Sequence, residues 1–209
     1  MIGDKLVIEA YHEENGRRVA AACLPEIKAA GRVFTLTVAG ESGSGKSESA
    51  ATTAHELELA GLRVAILGQD DYFKLPPKSN SAKRQQDISW VGMDEVKLDL
   101  MNAHLKAAKE GQQTIVKPNV IFEEDTIGEE TISFEGIDVV IAEGTYTTAL
   151  DEADFHAFID KTYHDTLAHR KKRARDVTEG KFIEAVLEIE HKIISGHKSK
   201  ADIILPKHY

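Results

Sequence analysis

The spacing of hydrophobic positions changes repeatedly along this chain. "RVFTLTVAG" (32–40) is almost continuously apolar or β-branched, as a strand buried on both faces of a parallel sheet must be. "KSESAATTAHELELAG" (46–61) switches to helix formers and stops at a glycine. The alternation then repeats. "LRVAILGQDD" (62–71) predicts a second strand that ends in two aspartates, and "DEVKLDLMNAHLKAAKEG" (94–111) a helix. "TIVKPNVIFEEDTIGEETISFEG" (114–136) predicts a β-hairpin, and "IDVVIAEG" (137–144) another buried strand. "FHAFIDKTY" (155–163) and "ADIILP" (201–206) read as further strands. "DTLAHRKKRARD" (165–176) and "FIEAVLEIEHKIIS" (182–195) read as helices. Strands that alternate with helices imply an α/β fold: a five-stranded parallel sheet with helices on both faces.

Two segments fall outside that rhythm. Residues 1–31 read as an N-terminal extension to a domain spanning 32–209. Within the extension, "RRVAAACLPEIKAAG" predicts a short helix interrupted near Pro25 and closed at Gly31. After Pro76-Pro77, "KSNSAKRQQD" (78–87) has no apolar periodicity and reads as a mobile polar stretch.

Composition narrows the class. The chain has 209 residues, 42% of them hydrophobic, which suits one α/β domain better than two. Its net charge of −9 argues against general nucleic-acid binding. One cysteine, Cys23, allows no intrachain disulfide and no thiolate metal site, and the nine histidines show no zinc spacing. No apolar run approaches a membrane span, and "MIGDKLVIEAYHEENGRR" lacks an apolar signal core. The expectation is a cytoplasmic protein with no membrane and no nucleic-acid partner; a homodimer is compatible with the chain.

The most informative stretch joins the first strand to the first strong helix. Gly40-Glu41-Ser42-Gly43-Ser44-Gly45-Lys46-Ser47 fits G-x-x-x-x-G-K-[ST] at every fixed position, in a strand–loop–helix context. Glycines let backbone N–H groups wrap a phosphate, and the helix N-terminus adds partial positive charge. Residues 40–48, Glu48 included, are the expected nucleotide-binding segment. Lys46 is expected to reach the β- and γ-phosphates of ATP, and the Ser47 hydroxyl to hold Mg²⁺. No Asn-Lys-x-Asp sequence of the guanine-reading kind is present.

Three further groups suit phosphoryl transfer. Asp70, preferred over Asp71, stands past a strand end, where a carboxylate can take a proton from a hydroxyl or help place the metal. Glu143 stands at another strand end and suits a Mg²⁺-organising role. Arg170, Arg173 and Arg175 lie in a basic run that could close over a transferring phosphoryl group. A different class of reading, a nucleotide-binding regulatory protein that transfers nothing, also uses a phosphate loop. It has no need of Asp70, Glu143 and the basic run together.

The pieces "GESGSGKS", "LGQDDYFKLP", "VVIAEGTY", "HRKKRARDVTEGK" and "KADIILP", in that order, resemble the uridine kinase and phosphoribulokinase-like family of P-loop kinases over residues 33–205. The resemblance implies a P-loop kinase fold with a small β-hairpin over the acceptor site. It implies ATP and Mg²⁺ at Lys46 and Ser47, a base at Asp70, a second metal-side acid at Glu143, and lid arginines at 170, 173 and 175. The acceptor would be a hydroxyl on a small molecule. The match departs in two places. The lid lacks the family's arginine between Glu179 and Gly180. The family's aspartate-histidine-proline sequence is replaced by Val91-Gly92-Met93, and its hairpin Tyr-Asp pair by Val120-Ile121, with Asp125 near its histidine. Phosphate chemistry is thus expected to be kept, and uridine reading lost. Glu123, Glu124, Asp125, Glu129 and Glu130 make the hairpin acidic, which would favour a positively charged or polyol acceptor if they face it. Trp90 is expected either to wall that pocket or simply to pack.

Overall fold

A computed structural model of the chain describes residues 6–166 and 180–207. Five parallel strands form the central sheet: β1 (Phe34–Gly40), β2 (Val64–Gly68), β5 (Val139–Gly144), β6 (Phe155–Ile159) and β7 (Ile203–Leu205). Their spatial order is β2-β5-β1-β6-β7. Central β1 is buried at all seven residues, which is why its sequence shows no alternation. Strands β3 (Thr114–Ile121) and β4 (Thr126–Ser133) pair separately as an antiparallel hairpin.

Successive side chains on a strand point to opposite faces, so the sheet divides two cores. Val139 and Ile141 of β5 face one side, where they meet α1 (Ala10–Ala30) and α2 (Lys46–Leu59). Val140 and Ala142 face the other, against α4 (Leu98–Lys109) and the C-terminal helix α5 (Lys181–His197). On α4 the inward stripe is Met101, Leu105 and Ala108, at helical spacing.

Helix α1 differs from the short, interrupted helix expected. It runs unbroken for 21 residues through Pro25. Proline inside a helix costs about 3 kcal/mol. Pro25 sits on the solvent face, however, while Val19, Cys23 and Ile27 beneath it are buried in the sheet core. Burying such side chains stabilises by about 1.5–3 kcal/mol each for the larger ones, which outweighs the lost bond. Gly16 lies flush against Thr52 of α2, letting the two helices approach closely.

The stretch 78–87 is a second correction. Residues Pro77–Gln86 form a helix, α3, with proline in its first turn. Asp125, from the hairpin turn, caps it by accepting from the backbone N–H groups of Lys78 (2.6 Å) and Ser79 (3.1 Å). Among the described residues no helix is long and apolar enough to cross a membrane.

Candidate active site

The carboxyl ends of β1, β5 and β2 place the expected site residues side by side. The loop after β1 carries Lys46 and Ser47. Glu143, on the adjacent β5, is in register with Gly68 at the end of β2, and Asp70 follows in a short 3-10 turn. Ser47 Oγ lies 3.2 Å from Glu143 Oε1 and donates to it. Burial, and then the nearby charge of Asp70, push the Glu143 carboxyl up to about 7. Lys46 is within electrostatic reach of Glu143, and its Nζ donates to the Glu41 carbonyl at 3.0 Å.

The loop's path depends on missing Cβ atoms. Gly45 has φ 90°, and a Cβ there would overlap the imidazole of His12. That histidine is fully buried at the start of α1. Below the site, Gly144 leaves room for Gln69, whose Oε1 accepts from the Tyr146 N–H at 2.7 Å.

Glu41, within the loop, ties it to the elements around it. Its buried carboxylate accepts from the Tyr163 N–H at 2.6 Å and meets His191 Nδ1 of α5 at 2.6 Å. Thr166 donates to the Ser42 carbonyl at 2.8 Å. Nothing in the sequence motif flags His191. Asn15 of α1 also reaches the first turn of α2, donating to Ser49 Oγ at 2.9 Å.

The two aspartates after β2 do different things. Asp71 is buried and ties the turn to the hairpin: it accepts from Lys117 Nζ at 2.8 Å and from the Val120 N–H at 3.1 Å. Asp70 is on the exposed side, toward Glu143. Val120 is itself buried, so its side chain faces the core. The acidic hairpin is partly engaged within the fold, Asp125 at the α3 cap and Glu130 on Lys117 at 2.9 Å. Trp90 is half-buried and donates from its indole N–H to Asn80 at 2.9 Å. Arg170, Arg173 and Arg175 lie outside the described residues.

The fold and this loop define a P-loop kinase. Residues 35–208 match the phosphoribulokinase/uridine kinase family, and the chain belongs to that family, whose members are ATP-dependent kinases. It is 31% identical over 185 residues to the uridine kinase of Staphylococcus epidermidis, covering 82% of this chain and 86% of that protein. It is 27% identical over 210 residues to the bifunctional alpha-galactosidase/sucrose kinase of Mediterraneibacter gnavus, covering 87% of this chain but only 22% of that much longer protein. In fold it is similar to phosphoribulokinase from Rhodobacter spheroides, with a TM-score of 0.63 at 12% identity over 84% of this chain and 70% of that one.

Proposed function

We propose that this chain transfers the γ-phosphoryl group of ATP to a hydroxyl of a small molecule whose recognition differs from that of uridine. The observation that carries the reading is the meeting of Lys46, Ser47, Glu143 and Asp70 at three adjoining strand ends, beside a loop and hairpin without the uridine-reading residues. In this reading Lys46 binds the β- and γ-phosphates, and the loop N–H groups hold them in place. Asp70 takes the acceptor's proton as the hydroxyl oxygen forms its bond to phosphorus and the bond to the ADP oxygen breaks. Arg170, Arg173 and Arg175 close over the moving group and exclude water.

The residues also fit a divalent cation. Ser47 and Glu143 are already in contact, Asp70 adds negative charge beside them, and burial, followed by that charge, raises the Glu143 carboxyl to about 7. Mg²⁺ takes few protein ligands and keeps phosphate and water oxygens, so a hydroxyl and one or two carboxylates suffice. Bound there, it would neutralise charge on the phosphates.

Replacing Asp70 with Asn tests the reading. ATP affinity should hold, while kcat falls by about 10²–10⁴-fold. A regulatory protein that transfers nothing would bind ATP without turning over any acceptor. Saturable phosphorylation of uridine or cytidine would overturn the altered acceptor. The names of the relatives span a nucleoside and a sugar, uridine and sucrose, so the family's acceptor is not fixed by its fold.

A further inference from the structure

The short turn after β2, Gln69–Tyr72, is held from three directions. Gln69 is buried, and its Oε1 accepts from the Tyr146 N–H at 2.7 Å. Tyr72 is fully buried, with its hydroxyl 2.8 Å from His104 Nδ1 on α4. Asp71 is buried and accepts from Lys117 Nζ at 2.8 Å and from the Val120 N–H at 3.1 Å, both on β3. Asp70 alone of the four is exposed. The turn adjoins the phosphate loop by direct packing. Glu143 Oε1, which accepts from Ser47, lies 3.3 Å from where a Cβ on Gly68 would stand, and Gly68 is the residue just before the turn.

Lys117 is the unusual member of this arrangement. Its side chain is only 5% exposed, in the middle of a hairpin strand. Its three N–H donors meet three oxygens: Asp71 at 2.8 Å, Glu130 at 2.9 Å and the Pro118 carbonyl at 3.2 Å. Glu130 stands opposite Lys117 in the hairpin register, so one ammonium joins both hairpin strands to the turn. A buried ion pair adds little stability over apolar side chains of the same volume, because desolvation offsets the attraction. Its contribution is geometric. Apolar surfaces can slide past one another, whereas directed hydrogen bonds from a single ammonium hold the turn and the hairpin in one relation.

We propose that Asp71 and Lys117 are positioning residues for phosphoryl transfer, through which the hairpin fixes the place of Asp70. The inference rests on the kinase reading above. Neither residue touches the reacting atoms; both act through the neighbour of Asp71. A base works only within about 2.6–3.2 Å of the proton it takes. A misplacement of about 1 Å can cost about 10²-fold in rate. A turn of four residues has little backbone to absorb a slip at Asp71, so the slip passes to Asp70. Gln69 and Tyr72 hold the turn's two ends, and the Asp71–Lys117 contact sets its middle.

The test uses the full chain and follows labelled γ-phosphate from Mg·ATP, which reads slow variants. The acceptors are uridine, sucrose, fructose, glycerate and ethanolamine, with water as the acceptor in their absence. A base that takes a proton from a hydroxyl takes one from water too. Lys117→Met alone leaves the buried Asp71 carboxylate without its ammonium, which is strongly destabilising. Lys117→Met combined with Asp71→Asn removes both charges and keeps an oxygen for the Val120 N–H. This pair should leave Tm within a few degrees and ATP Kd within about 2-fold, while kcat falls by about 10–100-fold. In an Asp70→Asn background the same pair should lower kcat by less than about 2-fold further, because the residue it positions is already gone. An equal fall in both backgrounds marks a structural role and overturns the proposal. An unchanged kcat with Asp70 present also overturns it, and both results leave the kinase reading standing. If the pair loses its cooperative thermal transition, Asp71→Asn alone, which keeps an oxygen for each donor, carries the same comparison. ATP binding with no transfer by the parent chain to any acceptor, water included, overturns both.

Discussion

His191 Nδ1 lies 2.6 Å from Glu41 Oε1, a contact that fastens the C-terminal helix α5 to the phosphate loop across 150 residues of chain. Glu41 is buried, while the His191 side chain is 37% exposed. His191→Ala should loosen the loop without unfolding the protein. The expected result is an ATP Kd raised by about 5-fold, the equivalent of about 1 kcal/mol. Isothermal titration of ATP into His191→Ala, Glu41→Ala and the double variant checks it. Two residues acting through one contact should give less than additive losses.

Helix α1 is expected to be indispensable to the fold. Val19, Ala20, Cys23 and Ile27 belong to the same core as Leu36, Val38 and Leu57. Removing residues 1–30 strips that face of the sheet, where each large apolar side chain is worth about 1.5–3 kcal/mol, against a typical total stability of 5–15 kcal/mol. The truncated chain should show no cooperative thermal transition. A sharp transition within a few degrees of the full chain would mean that α1 is a dispensable appendage.

Much of this fold was legible from the sequence. The five parallel strands announced themselves because strands covered on both faces carry no polar alternation, as β1 and β5 show. The phosphate loop was legible because its glycines sit where backbone must approach an anion. What was hidden depends on distant partners. Helix α3 has no apolar stripe; it is held by Asp125, 45 or more residues away, and by Arg84 and Asn80 on Glu95. A charge count of the hairpin does not show that Asp125 and Glu130 are engaged within the fold. One signal was present and unused. On α5 the inward stripe of Leu187, Glu190 and Ile194 puts a carboxylate where the helical period calls for an apolar side chain. The stripe of Val19, Cys23 and Ile27 in α1 was likewise readable, and Pro25 was given too much weight.

Asp154 gives the protein an acid-sensitive anchor. It accepts from Arg32 through both guanidinium nitrogens at 2.8 Å and from the Thr35 N–H at 3.0 Å, with Lys109 at 3.4 Å. Burial works to raise its pKa, but the Arg32 and Thr35 donors win and hold it down to about 2. A carboxyl lowered in the folded state adds stability above its unfolded pKa, near 3.9, and loses it as pH falls through about 2. Asp154→Asn should therefore be less stable than the parent by about 2 kcal/mol at pH 7. The gap should narrow between pH 4 and pH 2. Urea unfolding at each pH reads it, and a gap that stays constant down to pH 2 would show that the contribution is not electrostatic.

The contact between Gly45 and His12 makes the phosphate loop depend on α1 in a way that paired substitutions can expose. Gly45→Ala brings two separate penalties. The backbone stays at φ 90°, where an L-residue is strained by roughly 1–2 kcal/mol, and the new methyl overlaps the buried imidazole. His12→Ala removes only the second. It has its own cost, because it empties a buried site and deletes the acceptor of the Glu9 N–H at 2.9 Å. The double variant should therefore be more stable than the sum of the two single losses, yet still bind ATP more weakly than His12→Ala alone, since the strain stays. Tm and ATP Kd for the three variants decide it. Simple additivity would mean that the histidine moves aside and that α1 does not shape the loop.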